Sequence, residues 1–196
     1  MNHGCRKCRR EGEKLILKGE RCFTPKCAIT KRSYAPGQHG VSSVKKLSEY
    51  GRQLREKQKI KRIYNISESV LRKYYDIAEK SQANTTEKMI SILETRLDNV
   101  LYRANVATSR SATRQAVSHG KIYVNNKKVT IPSYLVSEKD EITFAKNLPT
   151  SKISTQNISW LIAAKDKPKV TVSKIPVREE VELNVNENLV VEFYSR

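Results

Sequence analysis

LETRLDNVLYRANVATSRSATRQAVSHGKIYVNNKKVTIPSYLVSEKDEITF, residues 93–144, is the stretch on which the fold turns. Met89, Leu93, Leu97, Val100 and Leu101 recur at helical spacing and predict a helix over about 87–103, opened by a capping box from Asn84 and Glu87. A short helix over 109–118 follows Thr108 and stops before Gly120, a fitting residue for the left-handed position past a helix end. KIYVNNKKVT (121–130) reads as two strands around an Asn125-Asn126 turn, because Asn tolerates the positive φ of tight hairpins. DEITFA (140–145) reads as a further strand. Within this αβ unit, Arg110 and Arg114 stand one helical turn apart, with Ala112 and Ala116 pointing toward the core. His119 and Lys121 flank the helix end. Arg96 falls inside an apolar stripe and needs a specific partner, either an internal carboxylate or an RNA phosphate.

Upstream, residues 1–46 read as irregular, with a Pro- and Gly-punctuated loop, SYAPGQHG (33–40), around Gln38 and His39. A helix is predicted from Ser48 to about Arg62, and a second from Glu68 to Lys80 with Ser67 as its cap. In the first, Leu47, Tyr50 and Leu54 share one side and Arg52, Arg55, Lys59 and Arg62 the other. Four cations on a narrow arc without an intervening acid favour phosphate binding over a solvated surface, which would normally mix signs. Downstream, residues 146–159 are polar and read as loop, with a short helix around Trp160. VTV (170–172), VEL (181–183) and LVVEFY (189–194) read as strands.

Four cysteines crowd into the N-terminal segment: Cys5 and Cys8 in CRKC, then Cys22 and Cys27 in CFTPKC. Two close pairs separated by a hairpin-length segment match a tetrahedral thiolate site better than a catalytic arrangement. In a basic chain without a secretory signal, thiolates on metal are expected rather than two disulfides. Zinc is the expected metal. An iron–sulfur cluster uses the same four ligands, and spacing does not exclude it. His3 is read as a disordered N-terminal residue rather than a ligand in place of one of the cysteines. Arg6, Lys7, Arg9 and Arg10 surround the first pair and give the knot a surface suited to a polyanion.

Composition narrows the partners. The 196-residue chain has a formal net charge of +18, and residues 1–62 carry 18 of its 38 Lys and Arg but 5 of its 20 Asp and Glu. Residues 167–196 are electrically neutral, which suggests that the tail closes a core rather than leading RNA binding. Nowhere do about 18 apolar residues run together, so no transmembrane helix is expected. The segments are taken as 1–46, a basic metal-binding stretch; 47–87, a helical lobe; 88–147, the αβ module; and 148–196, a helix and strands packing on the helical lobe. The fold class is α+β: a mostly helical N-terminal lobe with a metal-bound knot, plus a small αβ RNA-binding module inserted before C-terminal strands.

TRLDNVLYR, SRSATRQAVSHG and KIYVNNKKV resemble the small RNA-binding module named after ribosomal protein S-four, with Asn126 where most bearers have Gly. CRKCRREGEKLILKG, YAPGQHG, LSEYGRQLREKQKIKRIY and NENLVVEFYS extend the likeness, over essentially the whole chain, to the bacterial-type S-four family. That resemblance implies a structural constituent of the small ribosomal subunit that binds its rRNA directly and early, nucleating assembly. It also implies a position beside ribosomal protein S-five and near the mRNA entry path, in the ribosome of a bacterial cytoplasm or of an organelle. Neither a membrane nor a homo-oligomer is expected. The rRNA-facing set is then Arg6, Lys7, Arg9, Arg10, Gln38, His39, Arg52, Arg55, Lys59, Arg62, Arg96, Arg110, Arg114, His119 and Lys121. No enzyme is expected. TRLD (95–98) resembles the GRLD loop of pseudouridine synthases, but Thr95 replaces the glycine and no catalytic-sized domain is left over. A DNA-reading zinc finger is disfavoured too, since its paired histidines are missing.

Overall fold

A computed structural model describes residues 4–42, 47–145, 158–163 and 168–196. His3 and most of the expected 146–159 loop lie outside the described residues. Along the chain run α1 (Gly4–Glu11), α2 (Ala28–Lys31), α3 (Glu49–Ile63), α4 (Glu68–Glu79), α5 (Thr85–Glu94), α6 (Leu97–Arg103), α7 (Arg110–Ser118), β1 (Ile122–Val124), β2 (Lys127–Lys128), β3 (Glu141–Phe144), β4 (Leu161–Ala163), β5 (Lys169–Val172) and α8 (Glu187–Tyr194). The described residues are therefore α+β. They form two compact units: Met1–Asp76 with Asn184–Arg196, and Ile77–Leu183.

In the first unit, the segment read as irregular contains helix α1, which ends at Gly12 in the left-handed conformation, φ +73°. Helix α3 starts where expected, with the Ser48 hydroxyl accepting from the Gly51 N–H at 3.2 Å. Its buried face is not the expected one. Gln53, Lys57, Lys59 and Ile60 are buried, whereas Leu47 and Tyr50 are about half exposed. Helix α8 lies along α3, its Phe193 ring against both Tyr50 and Lys57. LVVEFY is therefore a helix, not a strand. Its β-branched pair reads as strand, but Val190 and Tyr194, four apart, both bury on one helical face. Glu68 ties this core together, accepting from Lys57 at 2.7 Å, Lys61 at 3.1 Å and the Tyr194 hydroxyl at 2.8 Å. Burial works against the Glu68 carboxylate, but these three donors outweigh it and hold its pKa below the usual value.

The second unit packs helices on an antiparallel sheet of order β2-β1-β3-β5-β4. Leu97, Val100 and Leu101 of α6 and Val117 of α7 meet Ile122, Val124, Ile142, Val170 and Val172 of the sheet in one core. Trp160 is 1% exposed in that core, and leads into β4 rather than the helix expected there. VEL (181–183) forms no strand. Asn125 and Asn126 take φ of 49° and 64°, the paired positive values of a two-residue hairpin turn. The Asn125 side chain also bonds onward, accepting from the Glu141 N–H at 2.9 Å, which fixes the hairpin against β3.

The helix expected over 87–103 is two helices, with Arg96 extended between them (φ −62°, ψ 136°). The freed backbone groups find partners in the 132–136 loop. The Leu97 N–H donates to the Tyr134 carbonyl at 2.8 Å, the Asp98 N–H to Pro132 at 3.2 Å, and the Val136 N–H to Thr95 at 2.9 Å. Such a break carries no local signal, because the compensation comes from a loop more than 30 residues away.

Candidate nucleic-acid interface

The predicted cations of the second unit separate by burial. Arg114, His119 and Lys121 are exposed. Ser109 caps α7 by accepting from the Ala112 N–H at 3.3 Å, and Gly120 lets the chain reverse at φ +69°. Lys128 joins them. A Cβ placed on Gly120 would come within 2.8 Å of the Lys128 Nζ, so that ammonium lies directly over the helix end between His119 and Lys121. Sequence reasoning missed Lys128. The available signal was strand alternation: Tyr123 pairs with Lys128 across the hairpin, and Tyr123 alternates outward between buried Ile122 and Val124.

Arg96 and Arg110 belong to a different network. Arg96, expected among the RNA contacts, is 2% exposed and forks onto Asp98. It took the internal carboxylate, and its burial removes it from any RNA-facing surface. Asp98 is likewise enclosed, at 4% exposure. Next to them, Glu94 accepts two bonds from Arg103 at 2.8 and 2.9 Å and one from the Asn99 amide at 2.8 Å. The Asn99 oxygen in turn accepts from Arg110 Nε at 2.8 Å, and the Arg110 guanidinium stacks 4.2 Å from the Tyr102 ring centroid. Arg110 thus positions α7 against α6. These groups are hydrogen-bonded throughout, as buried charge requires.

In the first unit, three of the four α3 cations expected to face RNA are paired with acids. Arg55 and Arg62 both pair with Glu11, whose side chain is wholly buried, while Lys59 pairs with Glu13 at 3.0 Å and Glu56 at 2.7 Å. The sequence expectation of an acid-free arc fails along α3, where Glu56 pairs with Lys59, and again in space, where Glu11 at the end of α1 and Glu13 just beyond it arrive from over 40 residues upstream. Burial raises the Glu11 pKa despite the neighbouring Arg62, Arg55 and Lys59. Its Oε2 has no hydrogen-bond partner among the described residues. Arg52 is exposed and has no ion pair among the described residues. Arg9 and Arg10 hold the YAPGQHG loop: Arg9 Nε donates to the Tyr34 carbonyl at 3.0 Å, Arg10 Nη2 to that of Pro36 at 3.1 Å, and Arg9 lies over the Tyr34 ring. Gln38 and His39 are consequently displayed on an anchored turn, both exposed, as is Arg6. Lys7 is half-buried and gives its carbonyl to Arg62.

All four cysteines are free thiols, and all four line one small cavity of about 10 Å³ with Leu17 and Ile29 among its apolar walls. Among the described residues no group of three or more His, Cys, Asp or Glu side chains stands as a formed metal site, so the metal-bound knot is not part of the observed fold. The donor set and its convergence still fit a thiophilic cation. Burial raises the Cys8 and Cys22 thiols. At Cys27 burial also acts upward, but backbone bonds at Ile29 and Thr30 outweigh it and its pKa is lowered.

Residues 1–94 match the ribosomal protein S4/S9 N-terminal domain and residues 95–142 match the S4 domain. With the α+β fold and exposed cations, these matches define the class: a structural ribosomal protein carrying an RNA-binding domain, not an enzyme. The chain is 52% identical to small ribosomal subunit protein uS4A of Alkaliphilus metalliredigens, over 98% of this chain and 96% of that one. It is 51% identical to small ribosomal subunit protein uS4 of Halothermothrix orenii, with the same coverage. The chain belongs to the uS4 family of ribosomal proteins.

Proposed function

We propose that this chain, as a uS4 protein of the small ribosomal subunit, binds small-subunit rRNA with Arg114, His119, Lys121 and Lys128 as the phosphate-contacting cluster of its S4 domain. The convergence of Lys128 on the α7 end beside His119 and Lys121 carries the reading. A cationic knob at a helix end and hairpin suits folded RNA, whose backbone and shape are read more readily than its deep major groove. Arg96 and Arg110 act behind this face by holding α5, α6 and α7. In the first unit, Arg6, Gln38, His39 and Arg52 form the exposed contact set, while Arg9 and Arg10 position the loop. The test is rRNA binding by Lys121→Gln/Lys128→Gln over a range of salt. Each lost phosphate contact flattens the slope by roughly 0.7–0.9 log units per decade of salt. An unchanged slope and footprint would remove the cluster from the interface.

The four cysteines hold one zinc ion in this reading, with an iron–sulfur cluster as the alternative occupant. The shared cavity and the all-thiol donor set support it. The metal would supply folding free energy by drawing thiolates together. Early binding that nucleates subunit assembly, and a place beside ribosomal protein S-five near the mRNA entry path, follow from the family resemblance. Order-of-addition reconstitution, with S-five binding read before and after this chain, tests them.

A further inference from the structure

The α3 cations do not line an open rail. Arg52, Arg55 and Lys59 wall a groove of about 610 Å³ contained in the first unit, shared with Leu47 before the helix start, Ala35 of the anchored loop, Leu189 of α8 and Arg10, whose guanidinium is committed to the Pro36 carbonyl. That volume lies within the range of pockets that take a small organic ligand, roughly 300–1,000 Å³. Its lining is mixed. Arg55 and Lys59 enter it already paired to Glu11, Glu13 and Glu56, so they add hydrogen-bonding edges but little net charge. Arg52 brings an exposed cation without an ion pair among the described residues. Leu47 is 49% exposed there, an apolar wall that nothing described covers.

Resting on the rRNA-binding reading above, we infer that this groove receives a single unstacked rRNA nucleotide. The base enters between Leu47, Ala35 and Leu189, and its phosphate meets Arg52. A run of phosphates would require a row of uncompensated cations, and ion pairing has removed two of the three that face the groove from α3. An apolar slot bordered by side-by-side guanidinium and carboxylate groups instead matches a nucleobase, which offers flat faces to apolar walls and both donors and acceptors along its edge. The Glu56 carboxylate, the partly exposed acid of the lining, confers preference by accepting from a base N–H. The backbone of the loop wall is held in place by Arg9 and Arg10, so the slot is built before RNA arrives.

The experiment uses the full chain and a transcript of the small-subunit rRNA region that the wild-type chain protects, probed by base-modification interference and then by single abasic replacement. One nucleotide is expected whose base modification blocks binding and whose abasic form binds about tenfold more weakly. Leu47→Ser should weaken binding of the intact RNA to a similar degree with an unchanged salt slope, and should no longer distinguish the abasic RNA from the intact one. Arg52→Gln should lower the slope by about one phosphate contact. Both substitutions lie at exposed positions, and far-UV circular dichroism checks that helicity is kept. The inference is overturned if no base position responds to Leu47→Ser. It is equally overturned if the Arg52→Gln/Arg55→Gln/Lys59→Gln variant loses two or more contacts' worth of slope, the behaviour of a phosphate rail. A wild-type chain that fails to bind the transcript would overturn the rRNA reading itself, and this inference with it.

Discussion

Arg96 grips Asp98 two residues away through two parallel bonds, Nε to Oδ1 at 3.0 Å and Nη2 to Oδ2 at 2.7 Å, at the break between α5 and α6. Both side chains are almost fully enclosed, at 2% and 6% exposure. The Thr113 hydroxyl donates to the Asp98 carbonyl at 2.8 Å, so the same turn also receives α7. Breaking a buried pair from one side leaves an uncompensated charge and costs about 3–5 kcal/mol. Asp98→Ala should therefore lower unfolding stability by that order in denaturant titration. The double change Arg96→Met/Asp98→Leu should cost much less. If Asp98→Ala unfolds like the wild type, the pair does not hold the break.

Cys22→Ser tests the thiol cavity. Elemental analysis of the purified wild-type chain should find one zinc per chain, or iron with sulfide. Cys22→Ser should hold less, and proteolysis should begin in its first 45 residues. Full metal content and unchanged protease resistance in the variant would defeat four-cysteine coordination.

Glu68 should make the chain acid-sensitive. Its folded pKa is held below the unfolded one by Lys57, Tyr194 and Lys61 against the opposing effect of burial. Stability from this group is present above the unfolded carboxylate value, about 4.3, and is lost as pH falls through the lowered folded pKa. Glu68 is 42% exposed, so solvent screening keeps the effect small. Glu68→Gln should lower stability at neutral pH and flatten its acid dependence below that value. Parallel pH–stability curves for the two proteins would contradict the assignment.

Asn126 occupies the left-handed region at φ 64°, where Gly has no steric penalty. Asn126→Gly should leave stability within about 0.5 kcal/mol of the wild type, and Asn126→Val should cost on the order of 1–2 kcal/mol. Equal melting of the Val and Gly variants would mean that the turn relaxes out of this geometry.

Features set by neighbours in sequence were legible before any coordinates. The Ser48, Ser67 and Asn84 starts, the Gly120 stop and the Asn125-Asn126 turn each depend on a residue acting within about four residues of itself. The apolar stripe of α6 and the alternation of β1 likewise locate the core of the S4 domain, and the quoted motifs place the family. What the sequence left open depends on groups that meet only after folding. Glu11 reaches Arg55 and Arg62 across 44 and 51 residues and converts a cationic stripe into a groove wall. Helix α8 finds α3, a strand-like run that is helical, and α3 buries Gln53, Lys57, Lys59 and Ile60 where its own periodicity pointed to Leu47, Tyr50 and Leu54. Arg96 had two chemically equivalent outcomes, carboxylate or phosphate, and only the return of the 132–136 loop closed it inside. Local hydrogen bonding and hydrophobic period are properties of a short window. Charge compensation and the choice of buried face are properties of the pairing between windows, so they wait for the tertiary structure.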